Sequence, residues 1–237
     1  MVPPRTVKLD IISDFLCPWC YVGHVELERA LTMARAANLP ATFEMQYHPF
    51  CLNPSLKCDE AVEKDEYFKN KLGAERWEAK KKLMDARAAT DGIKFTFGGV
   101  IRQTTLAHRL LLKAWRVGGM KLQIPLLKEL FRAFFEEEKD IGDIETLATY
   151  ADVVGVLSKE EAVTFLESKE LEAEVLKMCA DAAKKGITGV PFVVIDGKWA
   201  VSGGQSADVY FKIFEKLSKH ETCISAPQPM PATAKVA

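Results

Sequence analysis

The sequence predicts an α/β protein in which a strand–helix–strand unit and a strand–strand–helix unit flank a large all-helical insertion. Three observations carry that prediction. Apolar residues alternate along residues 7–15, a segment that runs straight into Cys17-Pro18-Trp19-Cys20 and then into a helical pattern. From about residue 58 to 185 the periodicity is helical almost throughout. Strand patterning returns only with Val190-Pro191-Phe192-Val193-Val194-Ile195.

Val7, Leu9 and Ile11 mark the first strand as buried. Over residues 21–37 the spacing of Val25, Leu27, Leu31 and Ala34 makes one apolar helical face, which Asn38-Leu39-Pro40 ends. Residues 41–47 read as a second strand. Strand, helix and strand in so short a span form a βαβ unit with parallel strands and a right-handed crossover. The helical block then divides at Gly, Asp and Ser into segments near 60–72, 74–90, 105–117, 124–137, 144–154, 159–166 and 169–185. Asp196-Gly197 suits a two-residue hairpin turn, Trp199-Ala200-Val201 supplies the partner strand, and residues 207–217 form an amphipathic helix. The expected organisation is 1–57 and 187–221 as two halves of one domain, 58–186 as the helical insertion, and 222–237, rich in Pro and Ala, as a flexible tail.

Composition excludes some partners. The 237 residues are 48% hydrophobic, and 32 basic against 33 acidic side chains leave a net charge of -1. Nothing in that balance attracts nucleic acid or an anionic membrane. Residues 1–5 lack the basic region, apolar run and cleavage site of a secretory signal, and no stretch approaches the roughly 20 apolar residues of a spanning helix. A cytoplasmic location is expected. In such a compartment the six cysteines point to catalysis, metal binding or burial rather than to a disulfide scaffold.

Cys17 and Cys20 sit where the first strand feeds a helix N-terminus. Unpaired N–H groups and the helix dipole stabilise negative charge there, and the thiolate is the reactive form of cysteine. Cys17 at the cap is the candidate nucleophile. Cys20, one turn further in and more buried, is placed to resolve a mixed disulfide. Pro18 fits the first helical turn, where its missing N–H costs nothing, and Trp19 offers an aromatic surface beside the sulfurs. An inert buried pair or half of a zinc site are the alternatives. Zinc needs about four ligands at knuckle spacing, and Cys51 and Cys58 do not provide a second Cys-X-X-Cys, so no metal is expected.

Asp14-Phe15-Leu16-Cys17-Pro18-Trp19-Cys20-Tyr21-Val22-Gly23, His48-Pro49-Phe50-Cys51-Leu52-Asn53-Pro54, Thr105-Leu106-Ala107-His108-Arg109-Leu110, Asp140-Ile141-Gly142-Asp143, Gly189 to Asp196 and Val201-Ser202-Gly203-Gly204-Gln205 together resemble the DsbA-like thioredoxin superfamily, in its FrnE-like branch. The resemblance spans residues 7 to about 217. It implies a thioredoxin fold, Cys17 as nucleophile, Cys20 as resolving thiol and Pro191 as a cis-proline packed on the pair, leaving the Val190 backbone free for an extended substrate. It also implies glutathione as co-substrate, with no bound cofactor, and a homodimer. Kappa-class glutathione transferases and hydroxychromene-carboxylate isomerases share the architecture but usually carry serine at the position of Cys17. The expected activity is therefore thiol–disulfide exchange on a protein or small-molecule disulfide. The alternative is a glutathione-dependent transferase or isomerase of a small aromatic substrate; a scaffold without catalysis is a third reading.

Other residues carry weaker signals. Ser202-Gly203-Gly204-Gln205, before the last helix, could hold a γ-glutamyl carboxylate through backbone N–H groups or form a plain turn with a cap. His24 could share a face with the cysteines, or be a half-exposed helix residue. His108, on an otherwise apolar helix, reads as a packing residue or as a substrate contact. Cys51 and Cys58 permit a second disulfide, Cys179 reads as core, and Cys223 as an exposed tail thiol. The run Phe131-Arg132-Ala133-Phe134-Phe135 reads as helix core that could also line an apolar groove.

Overall fold

A computed structural model describes residues 5–219. The expected tail and Cys223 lie outside the described residues. A four-stranded sheet is ordered β2-β1-β5-β6, with β1 Arg5–Ser13, β2 Ala41–Pro49, β5 Phe192–Ile195 and β6 Trp199–Ser202. β1 and β2 are parallel, Leu9 lying opposite Met45, and α1 Pro18–Ala36 is the crossover. β5 is antiparallel to β1, with Leu9 opposite Ile195, and β6 to β5. Strands from both ends of the chain thus share one sheet, as a thioredoxin fold with a helical insertion requires.

The elements follow from local sequence. α1 starts at Pro18 with Cys17 as N-cap, and stops where Asn38 takes a left-handed conformation (φ 50°), one that asparagine tolerates. Leu27, Ala30, Leu31 and Ala34 of α1 pack with Val7, Leu9 and Ile11 of β1 in the main core. Tyr210 and Phe214 of the last helix, α9 Ala207–Lys219, complete this layer. On the opposite face Ile12, Phe50 and Ala182 form a small second cluster, with Ile187, Phe192 and Val194 packed against it.

The insertion differs from the sequence reading in three places. The segment expected as helix from residue 60 opens instead with the two-residue strand β3 Val62–Glu63, paired with β4 Val100–Ile101. Only then does α2 Lys64–Leu72 begin, followed by α3 Ala74–Asp91. The pairing partner is nearly 40 residues away, so no local pattern announces it. α4 Thr105–Gly118 ends near the expected point, but α5 Met120–Phe135 starts four residues early and carries Pro125 inside it. Proline in a helix interior is costly. Here the added first turn brings Gln123 against β2, where it accepts from Tyr47 N at 2.8 Å and donates to Tyr47 O at 3.0 Å. After α6 Ile144–Val154 and α7 Lys159–Glu167, α8 Glu172–Lys184 starts three residues late, because Leu171 is left-handed (φ 64°). Among the described residues no helix is long and apolar enough to cross a membrane.

Candidate active site

β1 delivers the chain through buried Asp14 and Phe15 to Cys17, the extended N-cap residue of α1. Cys17 uses no side-chain atom for capping. Its N–H donates to Asp14 O at 3.2 Å and its carbonyl accepts from Cys20 N at 2.9 Å. The thiol is 6% exposed and donates to the Val190 carbonyl at 3.3 Å. Cys20 is 1% exposed. Burial pushes its thiol well up from the ordinary range, and the neighbouring Cys17 adds to this, while Ser13 and the Asp14 backbone oppose it.

The Val190–Pro191 peptide is cis. Pro191 presses on α1 where Gly23 has no side chain: a Cβ there would stand 3.2 Å from Pro191 Cγ. A Cβ on Gly204 would likewise stand 3.2 Å from the Trp19 carbonyl. Gly204 therefore lies against the N-terminal turns of α1. The N–H groups of residues 202–205 are not all available, however. Gly203 N donates to Pro191 O at 2.9 Å and Gln205 N to Gly203 O at 3.0 Å, and Gln205 Nε2 folds back on Ser202 O at 2.8 Å. The turn spends on itself much of what an anion cradle would need.

Asp14 is a residue that sequence reasoning left unassigned. Its carboxylate is fully buried and accepts from Leu52 N at 2.7 Å, Thr104 Oγ1 at 2.9 Å and Leu16 N at 3.3 Å. One side chain thus ties the Cys17 approach, the loop after β2 and the start of α4 together. A buried carboxylate must have such partners, and an aspartate ending a buried strand just before a Cys-X-X-Cys was the signal available.

The two histidines are structural. His108 is buried, its Nε2 3.0 Å from the Phe50 carbonyl and 3.5 Å from Asp14. It does not line the cavity beside Cys17: the helix it rides turns it into the core, with its ring 5.1 Å from Phe15. His24 is neither half-exposed nor aimed at the thiols. It is buried with Nδ1 2.8 Å from the Tyr47 hydroxyl, and desolvation lowers its pKa to about 4.

A cavity of about 250 Å³ opens on Cys17, Pro18 and Trp19. Its far wall is aromatic, with Phe68, Trp77, Phe95 and Phe97 contributed by α2, α3 and the loop after it, and Phe134 and Phe135 of α5 close it. So the Phe131–Phe135 run does both things expected of it, with Phe131 in the core and the last two rings on the cavity. Three lysines line this space and no Asp or Glu does. One of them, Lys64, is only 3% exposed, and its ammonium donates to Phe134 O at 2.8 Å and lies 4.1 Å from the Phe134 ring centre. Burial lowers its pKa to about 8.

The remaining described cysteines are free thiols. Cys58 is exposed and donates to Gln103 Oε1 at 2.9 Å, so it is not bonded to Cys51. Cys179 is half-buried on α8, and burial raises its thiol to about 12. Among the described residues no group of three or more His, Cys, Asp or Glu is arranged to hold a metal.

Residues 8–214 match the model of the DSBA-like thioredoxin domain family. A probable DsbA oxidoreductase from Streptomyces coelicolor has a solved structure that superposes with a TM-score of 0.81 and is 29% identical, covering 93% of each chain. An uncharacterized protein of Bacillus subtilis is 26% identical over 222 residues, covering 90% of this chain and 98% of its own. A cytosolic disulfide reductase of Pseudomonas aeruginosa, solved with glutathione, shares the fold at a TM-score of 0.61 and 17% identity, over 89% of this chain and 98% of its own.

Proposed function

The chain belongs to the family of DSBA-like thioredoxin domains, and from that premise we propose that it is a thiol–disulfide oxidoreductase working through Cys17 and Cys20. One observation carries the reading. Cys17 caps α1 beside the cis-proline loop and also borders an apolar cavity wide enough for a side chain or small ligand. In this mechanism the Cys17 thiolate attacks a substrate disulfide, one substrate thiolate leaves, and Cys20 then displaces the other from Cys17. The substrate disulfide is reduced to two thiols and the pair is oxidised to a disulfide. Glutathione, or a reductase, resets it. The Val190 carbonyl, held opposite the thiol, is available to pair with the backbone of an extended substrate in the mixed disulfide.

Two trapping variants test this. In Cys20→Ala the mixed disulfide has no internal exit, so glutathione or substrate should accumulate on Cys17 and be seen by mass spectrometry. Cys17→Ser should abolish disulfide turnover. Turnover that survives Cys17→Ser, with glutathione held only non-covalently, would instead establish the glutathione-dependent transferase reading.

A further inference from the structure

The β1 stripe that enters the main core reads Val7, Leu9, Ile11 and then Ser13, all buried. At its last position a hydroxyl stands where the pattern calls for hydrocarbon. The Ser13 backbone has a structural task, since its carbonyl accepts from Phe50 N at 2.9 Å. The side chain has none: Oγ is shut off from solvent and makes no hydrogen bond of good geometry. A buried hydroxyl in that condition is a net cost to folding, so its presence needs another reason.

The β1 stripe that Ser13 ends packs against α1, and the Cys20 thiol is buried in that same core with Val7, Leu9 and Ile11. Of the influences on that sulfur, burial and the neighbouring Cys17 work against the thiolate, and the Ser13 hydroxyl works for it. We propose, resting on the exchange reading above, that Ser13 is a catalytic hydrogen-bond donor to Cys20 Sγ in the step that resolves the mixed disulfide. In that step Cys20 gives up its proton, its sulfur forms a bond to Cys17 Sγ, and the bond between Cys17 and the substrate sulfur breaks. The departing substrate thiolate takes up a proton. Ser13 keeps its own proton throughout and supports the negative charge while Cys20 carries it, where no water can.

This assigns Ser13 to the second chemical step only. When the reduced protein is mixed rapidly with oxidised glutathione and acid-quenched over time, Ser13→Ala should slow the second phase, release of glutathione from the transient Cys17 mixed disulfide, about tenfold, the loss of one hydrogen bond to a charged group. Cys17 attack, measured in the Cys20→Ala background, should be unchanged. The pH profile of the resolving step should move to higher pH in Ser13→Ala and return in Ser13→Thr. Asp14, Tyr47 and Tyr210, the other titratable groups near Cys20, are untouched by these substitutions, as is Cys17. Ser13→Ala should also melt no lower than the parent, because an unpartnered hydroxyl contributes nothing to the fold.

A resolving rate and pH profile within about twofold of the parent would overturn the proposal while leaving the exchange reading intact. So would equal slowing of both steps. If the parent forms no mixed disulfide on Cys17, the exchange reading itself falls, and this role for Ser13 with it.

Discussion

Two pairs of insertion helices, one meeting α1 through α5 and the other through α3, are built on opposite principles. α4 and α5 bury long apolar faces: Leu110, Leu111, Leu126, Leu127, Leu130 and Phe131 are all within the core. α2 and α3 bury little beyond Lys64, Trp77, Met84, Ala88 and Asp91. α3 meets α1 through a small apolar cluster, where Ala88 joins Val22 and Ile93, and through charge, with Arg87 Nη2 2.5 Å from Glu26 and Arg29 Nη1 2.6 Å from the fully buried carboxylate of Asp91. At its other end Trp77 leans over the cavity beside Cys17. The first pair makes the molecule stable. The second is a thin wall whose aromatic residues are spent on the cavity rather than on the core.

On that division the largest loss of stability lies on the α5 side. Phe131→Ala removes a fully buried ring that stacks on Tyr21 at 5.2 Å and lies tilted against Phe15 at 5.4 Å. It should cost about 3–5 kcal/mol in urea denaturation. Little of the cavity itself should change.

The α5 side also carries an acid liability. His24, buried against Phe131, stays neutral in the folded protein down to about pH 4, whereas in the unfolded chain it protonates below its ordinary 6.5. Between those values the unfolded state binds the extra proton. Stability should therefore fall as pH drops from 6.5 to 4, by roughly 3 kcal/mol in all. His24→Gln should flatten that part of the stability–pH curve.

On the α2 side the sign is the same, but the window lies at alkaline pH. Lys64 is protonated in the unfolded state up to about pH 10.5 but in the folded state only to about 8. Its charge is destabilising below pH 8, and the penalty is relieved as pH rises from 8 to 10.5. Lys64→Met should raise the urea midpoint at pH 7 by the equivalent of about 1–3 kcal/mol, and lose the alkaline rise. A lower midpoint would show that the hydrogen bond to Phe134 O outweighs the buried charge.

The smallest effect sharpens the contrast. Leu83 of α3 is 58% exposed yet lines the cavity. Leu83→Ala should change stability by less than about 0.5 kcal/mol, while shifting the KM for an apolar disulfide with kcat held. An equal change in both constants would place Leu83 outside the substrate's reach.

The sequence by itself determined the α/β class, the split sheet, the helical block and the cysteine pair at a helix start. These rest on local periodicity and on Cys17-Pro18-Trp19-Cys20, features that neighbours along the chain suffice to specify. Helix limits were less legible where a distant partner sets them: Val100 for β3, and Tyr47 for the first turn of α5. Only the tertiary structure decided which polar residues serve the site. His24 and His108, open in the sequence to a chemical or a structural reading, are buried against Tyr47 and Phe50, while Asp14, Ser13 and Lys64, given no role in the sequence, come to lie around Cys17 and Cys20 or on the adjoining cavity. The reason is physical. A side chain's charge, proton and reactivity depend on its desolvation and its partners, and in this fold those partners come from distant elements: Thr104 is 90 residues from Asp14 and Val190 is 173 from Cys17.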